Sequence, residues 1–401
     1  MKGLALGLNE YWSIPYDIAW KWVLIINFGF DLRNKNNIEK AALDDKALNE
    51  EACTAFAFHS VEGTFLSHNT DNIKSSMEPA TLLHLVPDNG DNSFFTFFTP
   101  GFVGASLAVN SQNLALTYNV GGNNKNPMAG MPGLLKAREV MATCDTVAEA
   151  VKSFKSGLEA GGTYGYATTN FLIVDLDNGT MVRIQVCSDE IKVTYGKELK
   201  PGVKYIAFTN EFDDDFSPRP AEDLELEKVI SSMTRYERLM ELLSTYDKYD
   251  LKTCWDILND TSGGEADYYT ICRDDGDSHL TTMAHIFTAT TSYYTVGPPC
   301  QYLAKYDAMS FDSQDPVKSS TTGTVSARGR SLAKAKITLK SLDEQGLELK
   351  TYSAIDGTFT FNNLVPGRYR IKASKFFHFP RSITVDFDGQ TPVDTNIKLL
   401  F

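Results

Sequence analysis

An α+β fold with antiparallel sheets, followed by a small all-β sandwich, is the architecture this sequence predicts. Three observations carry it. Strand-like segments before residue 210 come in closely spaced pairs, helical segments are grouped between those pairs, and beyond about residue 321 the pattern is strand alone. A parallel order would alternate strand and helix one by one.

Period-two alternation marks residues 54–59 and 63–67 as strands folded about Gly63. Residues 105–110 and 114–119 form a second pair, turning at Asn113, a residue type that tolerates left-handed backbone. Helices are expected over 132–143 and 146–158. In the second, Asp145 is placed to cap the N-terminus and Glu149 lies in the first turn. Val147, Ala150, Val151 and Phe154 share one face, and Gly157 marks a stop. Strands over 170–176, 182–186 and 204–209 follow, then helices over 223–244 and 251–258. A Ser-, Thr-, Asp- and Pro-rich stretch at 311–322 reads as a linker. Residues 323–401 then alternate between Gly, Pro and Asn/Asp turns, with Asp356 and Gly357 as a hairpin turn and Phe359 and Phe361 facing one side.

The chain has 401 residues, enough for one large domain and one small one. Its formal net charge is -13, and it has no Lys/Arg cluster, which excludes a nucleic-acid binder. No apolar run approaches the roughly 20 residues needed to span a bilayer. The longest, residues 18–30, contains Lys21 and lacks the marks of a signal peptide. None of the six cysteines is spaced as C-x-x-C, so neither zinc nor another metal or cofactor is expected. Sequons at Asn178 and Asn259 are compatible with secretion and leave the compartment open.

Cys53 opens the first strand, and Asp71 ends the second, across the Gly63 turn. Folding on Gly63 brings the two together. A carboxylate cannot lower a thiol pKa, because like charges repel. Its natural use is to hold a cation or an amine. The amine at hand is the α-amino group of Cys53 itself, if the chain is cut before it. With an intrinsic pKa of about 7.7–8.0, that amine is a general base near neutral pH.

These residues carry a resemblance. "CTAFAFHSVEGTFLSHNTD" resembles the start of the mature chain in the penicillin acyltransferase family of N-terminal-nucleophile cysteine hydrolases. The likeness continues in order through "PGFVGASLAVNSQNLALTYNV", "GMPGLLKAREVMATCDTVAEAV", "TNFLIVD", "AFTNEF" and "SSMTRYERLMELL". It implies a four-layer αββα fold with two stacked antiparallel sheets between helices. It also implies a self-processing amidohydrolase or acyltransferase acting on a small-molecule amide or acyl substrate. Cys53 would be the nucleophile, exposed by cleavage of the Ala52–Cys53 bond, and residues 1–52 would stay packed against a 53–310 core. Asp71 would orient the amine, the Asn210 side-chain N–H and the backbone near Asn119 would hold the oxyanion, and Arg235 would pair with carboxylates around the nucleophile. The C-terminal module resembles the carboxypeptidase-regulatory-like sandwich, which is commoner on exported proteins and would contact the core or a partner.

The sequence departs from the family pattern at His68, where an Arg is usual in related branches, and at Glu211, where a His is usual. Two other readings stand beside the first. One is a catalytically degenerate binding scaffold, and the other a conventional cysteine protease pairing Cys53 with His59 or His68. Cys144, Cys187, Cys254, Cys272 and Cys300 read as core thiols.

Overall fold

The computed structural model describes residues 52–72, 81–98, 103–121, 130–159, 164, 169–213, 215–216, 226–275, 279–301, 307–310, 316–317, 320–342, 348–362, 364, 367–376, 378–387 and 393–400. The segment expected at 1–52 therefore lies outside the described residues except for Ala52.

In chain order the larger part contains β1 (Ala52–Ser60), β2 (Gly63–Asn72), β3 (Thr81–Leu85), β4 (Phe94–Phe98), β5 (Leu107–Asn110) and β6 (Leu114–Val120). Helices α1 (Gly133–Thr143) and α2 (Val147–Glu159) follow, then β7 (Thr169–Asp175), β8 (Met181–Cys187), β9 (Glu190–Tyr195), β10 (Lys197–Lys200) and β11 (Val203–Phe208). Helices α3 (Glu227–Thr245) and α4 (Leu251–Leu258) precede β12 (Asp274–Asp275), β13 (His279–Phe287), β14 (Thr291–Val296), β15 (Asp307–Ser310) and β16 (Pro316–Val317). One sheet runs β10-β11-β1-β2-β13-β14-β15-β16 with β12 on β13, and the other runs β3 to β9 in sequence order. Their strand pairs are antiparallel.

Side-chain alternation stacks the two sheets. On β1, Ala55 and Ala57 pack against Phe95, Leu107, Val109 and Leu172 of the other sheet. The intervening Phe56 and Phe58 turn the other way, onto Leu239 and Leu243 of α3 and Trp255 of α4. Helices α1 and α2 cover the outer face of the second sheet through Ala137, Val140, Ala150 and Phe154. The order is helix, sheet, sheet, helix.

Gly63 turns the β1–β2 hairpin at φ +123° and Asn113 adopts φ +56°, as their residue types permit. Two local expectations are corrected. The cap of α2 is Thr146, whose hydroxyl accepts the Glu149 N–H (3.2 Å) while the Glu149 carboxylate accepts the N–H of Thr146 and of Asp145. A Thr-x-x-Glu box satisfies donors in both directions, which Asp145 alone would not. Gly157 does not end the helix, which continues to Glu159.

Cys272 and Cys300, expected as core thiols, are joined in a disulfide spanning 28 residues. Closing a loop of that length stabilises the fold by about 3–4 kcal/mol in the chain-entropy account. Cys144, Cys187 and Cys254 are buried.

The remaining strands are β17 (Ser320–Ala327), β18 (Arg330–Ser331), β19 (Lys336–Ser341), β20 (Glu348–Tyr352), β21 (Thr358–Asn362), β22 (Gly367–Ser374), β23 (Arg381–Phe387) and β24 (Val393–Lys398). They form two four-stranded sheets closing on Val325, Ile337, Leu339, Phe359, Phe361, Tyr369 and Ile371. Strands β16 and β17 begin inside the stretch expected as linker. The turn at Asp356 and Gly357 joins β20 to β21, which belong to different sheets, so it crosses the sandwich instead of closing a hairpin. Gly357 has φ +83°, and a Cβ there would sit 2.5 Å from the Val325 carbonyl oxygen. Gly357→Ala is therefore expected to lower stability by about 1–3 kcal/mol, read as a drop in thermal midpoint.

Candidate active site

The β1–β2 register sets Cys53 opposite Thr70 and Ala52 opposite Asp71. Cys53 and Asp71 are thus neighbours across the hairpin, one residue out of step. Alternation then sends the two side chains to opposite faces. Cys53 shares the inter-sheet face with Ala55, Ala57, His68 and Thr70, whereas Asp71 faces the helix side.

The groups around Cys53 converge on its backbone. The Cys53 N–H donates to Asn210 Oδ1 (3.1 Å). From α3, Arg235 Nη1 donates to the Cys53 carbonyl (2.7 Å) and to Thr54 Oγ1 (2.9 Å), and its Nη2 donates to the same Asn210 Oδ1 (3.0 Å). Asn210 is held in turn, its N–H by Ser232 Oγ (3.0 Å) and its Nδ2 by the Val120 carbonyl (3.0 Å). Asn119 links the sheets, with Nδ2 donating to the Thr209 carbonyl (2.7 Å) and Oδ1 accepting from His68 Nε2 (3.0 Å).

Asn210 adds a contact and Arg235 departs from the expected one. Asn210 turns its oxygen toward the Cys53 nitrogen. The reason is that two donors, Cys53 N–H and Arg235, face that amide from one side. Arg235 spends its hydrogen bonds on neutral oxygens instead of carboxylates, and its link to Asp71 is a through-space charge interaction. Burial, with the Arg273 charge nearby, pulls its guanidinium down to about 10, so it remains cationic at neutral pH.

Asp71 is fully buried; Thr281 Oγ1 donates to its Oδ1 (2.8 Å), and Arg273 Nη1 lies 3.5 Å from its Oδ2. Burial raises its carboxyl, and Arg273 and then Arg235 oppose that rise. Reading the sequence did not single out Arg273, Thr281 or Ser232. Thr281 lies 210 residues from Asp71, and only sheet pairing of β13 with β2 joins them.

The histidines do not make a catalytic pair with Cys53. His68 Nε2 lies between two acceptors, the Tyr118 carbonyl (2.9 Å) and Asn119 Oδ1, so it carries the proton, and Nδ1 accepts from Thr70 Oγ1 (3.1 Å). His59 bonds Thr64 near the turn end of the hairpin. Burial lowers His68 to about 4. A histidine kept neutral by folding costs stability as the unfolded chain takes up its proton. That contribution is whole above pH 6.5 and is lost between 6.5 and 4, about 3 kcal/mol in all. Urea unfolding at pH 7 and pH 4 should show this loss, and His68→Gln should reduce it. The buried His285, also lowered, adds to the wild-type loss in the same direction.

Among the described residues no group of three or more His, Cys, Asp or Glu side chains could hold a metal ion, and no helix is long and apolar enough to cross a membrane.

The sequence profile described as acyl-coenzyme A:6-aminopenicillanic acid acyl-transferase matches residues 59–300, and that of the BOS complex subunit NOMO1-like second beta sandwich domain matches residues 320–387. No curated protein sequence matches the chain significantly. Similar solved structures include a Caenorhabditis elegans ortholog of N-acylethanolamine-hydrolyzing acid amidase, at 12% identity and a TM-score of 0.42, covering 59% of this chain and 92% of that one. A variant of conjugated bile acid hydrolase from Clostridium perfringens aligns at 13% identity and a TM-score of 0.45, covering 66% of this chain and 94% of that one.

Proposed function

Because the chain belongs to the acyl-coenzyme A:6-aminopenicillanic acid acyl-transferase family, we propose that it is an amide hydrolase or acyltransferase that processes itself and works through Cys53. One observation carries the reading. Asn210 accepts from the Cys53 nitrogen and Arg235 donates to the Cys53 carbonyl, while Asp71 stands opposite Ala52 in the strand register, so all three lie around the Ala52–Cys53 junction. Any buried backbone N–H needs an acceptor, but here the acceptor is a side chain shared with a buried arginine that also holds the carbonyl of the same residue.

In self-processing, Cys53 Sγ bonds to the Ala52 carbonyl carbon, the Ala52 C–N bond breaks, and the thiol proton passes to the nitrogen. Water then splits the thioester and leaves a free α-amine. In turnover that amine takes the thiol proton, Sγ adds to the substrate amide carbon, and the proton goes to the departing amine. The S-acyl enzyme gives its acyl group to water or to an acceptor amine. Asn210 Oδ1 orients the α-amine, and Asp71 supplies the charge that favours its protonated form. Arg235 fixes the Cys53 carbonyl so that sulfur and nitrogen keep one geometry. Asn210 Nδ2 spends one of its two hydrogens on the Val120 carbonyl, which leaves the second for an oxyanion.

Residues 53–310 are then the catalytic unit, residues 1–52 the segment cut from it that stays packed against it, and the sandwich an accessory module. The disulfide fits an oxidising, exported setting. The test is intact mass and N-terminal sequencing of the purified chain, followed by hydroxylamine trapping with a panel of N-acyl amines. A large fragment beginning Cys-Thr-Ala-Phe and hydroxamate formation are expected. An uncut chain with no thiol-dependent turnover sinks the proposal.

A further inference from the structure

Both oxygens of Asp71 are served by one short stretch of chain outside the family-like motifs. Thr281 Oγ1, the donor to Oδ1, itself accepts the backbone N–H of Arg273 (3.0 Å), and the Thr281 N–H donates to the Arg273 carbonyl (2.9 Å). The Arg273 guanidinium, 3.5 Å from Oδ2, is fully buried and rests 4.1 Å from the Tyr268 ring. None of its three nitrogens makes an aligned hydrogen bond. The Asp71 carboxylate and the Tyr268 ring are the contacts that place the guanidinium, and both require the Arg273 backbone to stay in position.

That backbone is tied down on all sides. Asn69 Nδ2 donates to the Ile271 carbonyl (3.0 Å), Thr270 Oγ1 donates to the Cys272 carbonyl (2.6 Å), and the Cys272 N–H donates to the Asp260 carbonyl (2.9 Å). Directly beside Arg273, the Cys272–Cys300 bond joins it to the chain just past β14. The charged groups facing Asp71 are Arg273 and, from α3, Arg235. On β13 the facing group is the neutral Thr281, and on β1 it is the Ala52–Cys53 junction.

We propose that Arg273 is a positioning residue that holds the Asp71 carboxylate beside the Cys53 nitrogen, and that the Cys272–Cys300 disulfide is the clamp that keeps Arg273 there. The inference rests on the reading of Cys53 as a self-processing nucleophile. It adds that the amine end of the centre depends on a crosslink formed more than 200 residues downstream in the chain.

The experiment uses the full chain with Arg273→Gln, Arg273→Lys and the double change Cys272→Ser/Cys300→Ser. Asp71 is followed by carbon-13 NMR on aspartate-labelled protein, assigned with Asp71→Asn, and the fraction cut at Ala52–Cys53 is read by intact mass at several pH values. Losing one close cation should move the Asp71 titration upward by about one to three pH units in Arg273→Gln. The Lys variant should move it less, and the double Ser variant should move it in the same direction. The acid limb of cleavage should shift with it. If the Gln variant does not fold, the Lys and double Ser variants carry the comparison. An Asp71 titration unchanged from wild type in the folded variants overturns the proposal, even where cleavage falls. If wild type is uncut but the titration moves, the functional reading fails and the clamp stands. If wild type is cut and the titration stays, the clamp alone fails.

Discussion

Cys53→Ala should leave the Ala52–Cys53 bond whole and lower thiol-dependent amide turnover by at least about 10⁴-fold, the scale on which removal of an activated nucleophile acts. The change deletes one sulfur from a side chain that is 3% exposed and leaves the backbone contacts of residue 53 in place. Asn210, Arg235 and Asp71 therefore keep their positions, and the loss reports chemistry and not unfolding. Intact mass of the variant should show one chain, with a cooperative thermal transition that shows it is folded. Cys53→Ser adds a second arm, since a hydroxyl retains the geometry but is a weaker nucleophile, and it should be cut more slowly or not at all. Turnover by Cys53→Ala at the wild-type rate would exclude Cys53 as the nucleophile whatever the state of the chain.

Arg235→Ala should cost about 3–5 kcal/mol of stability and abolish cleavage. The guanidinium is fully buried in α3 and donates to the Cys53 carbonyl, Thr54 Oγ1 and Asn210 Oδ1. Removing it takes a donor from three buried acceptors, of which Asn210 Oδ1 keeps the Cys53 N–H. It also takes away one of the two cations that offset Asp71. For a domain whose whole stability is about 5–15 kcal/mol, that is a large share. Arg235→Lys keeps the charge but offers no planar fork, so it should recover part of the stability and little of the cleavage. Denaturant unfolding of the two variants makes the separation. Equal stability of Arg235→Ala and wild type would mean that these contacts are weak in solution.

Most of the first sheet pair was legible because one face of each strand differs in character from the other. On β1 the small Ala55 and Ala57 alternate with Phe56 and Phe58, since the inter-sheet side is narrow and the helix side is deep. The strand beside β2 escaped notice for the opposite reason. In β13, Ala284 and Ile286 pack to the helix side while His285 and Phe287 pack between the sheets, so both faces are buried and no polar alternation survives. Strands β3 and β4 were also missed. On β4, Phe94, Phe95, Thr96 and Phe97 are all buried, so no polar face shows, and β3 is a half-buried strand beside it. The disulfide was unreadable because pairing depends on proximity, and 28 residues of hairpin separate Cys272 from Cys300.

By itself the sequence determined the class of fold, the sandwich, and the placing of Cys53 and Asp71 at the open end of one hairpin, because period-two alternation about Gly63 sets that register locally. Only the tertiary structure decided what those two residues touch. The orientation of the Asn210 amide follows from donors that arrive from β1 and α3 together. The partners of Asp71 come from β13 and the residues before it, through sheet pairing across some 200 residues. Such contacts carry no local pattern, since they arise where distant strands are forced side by side to bury their shared faces.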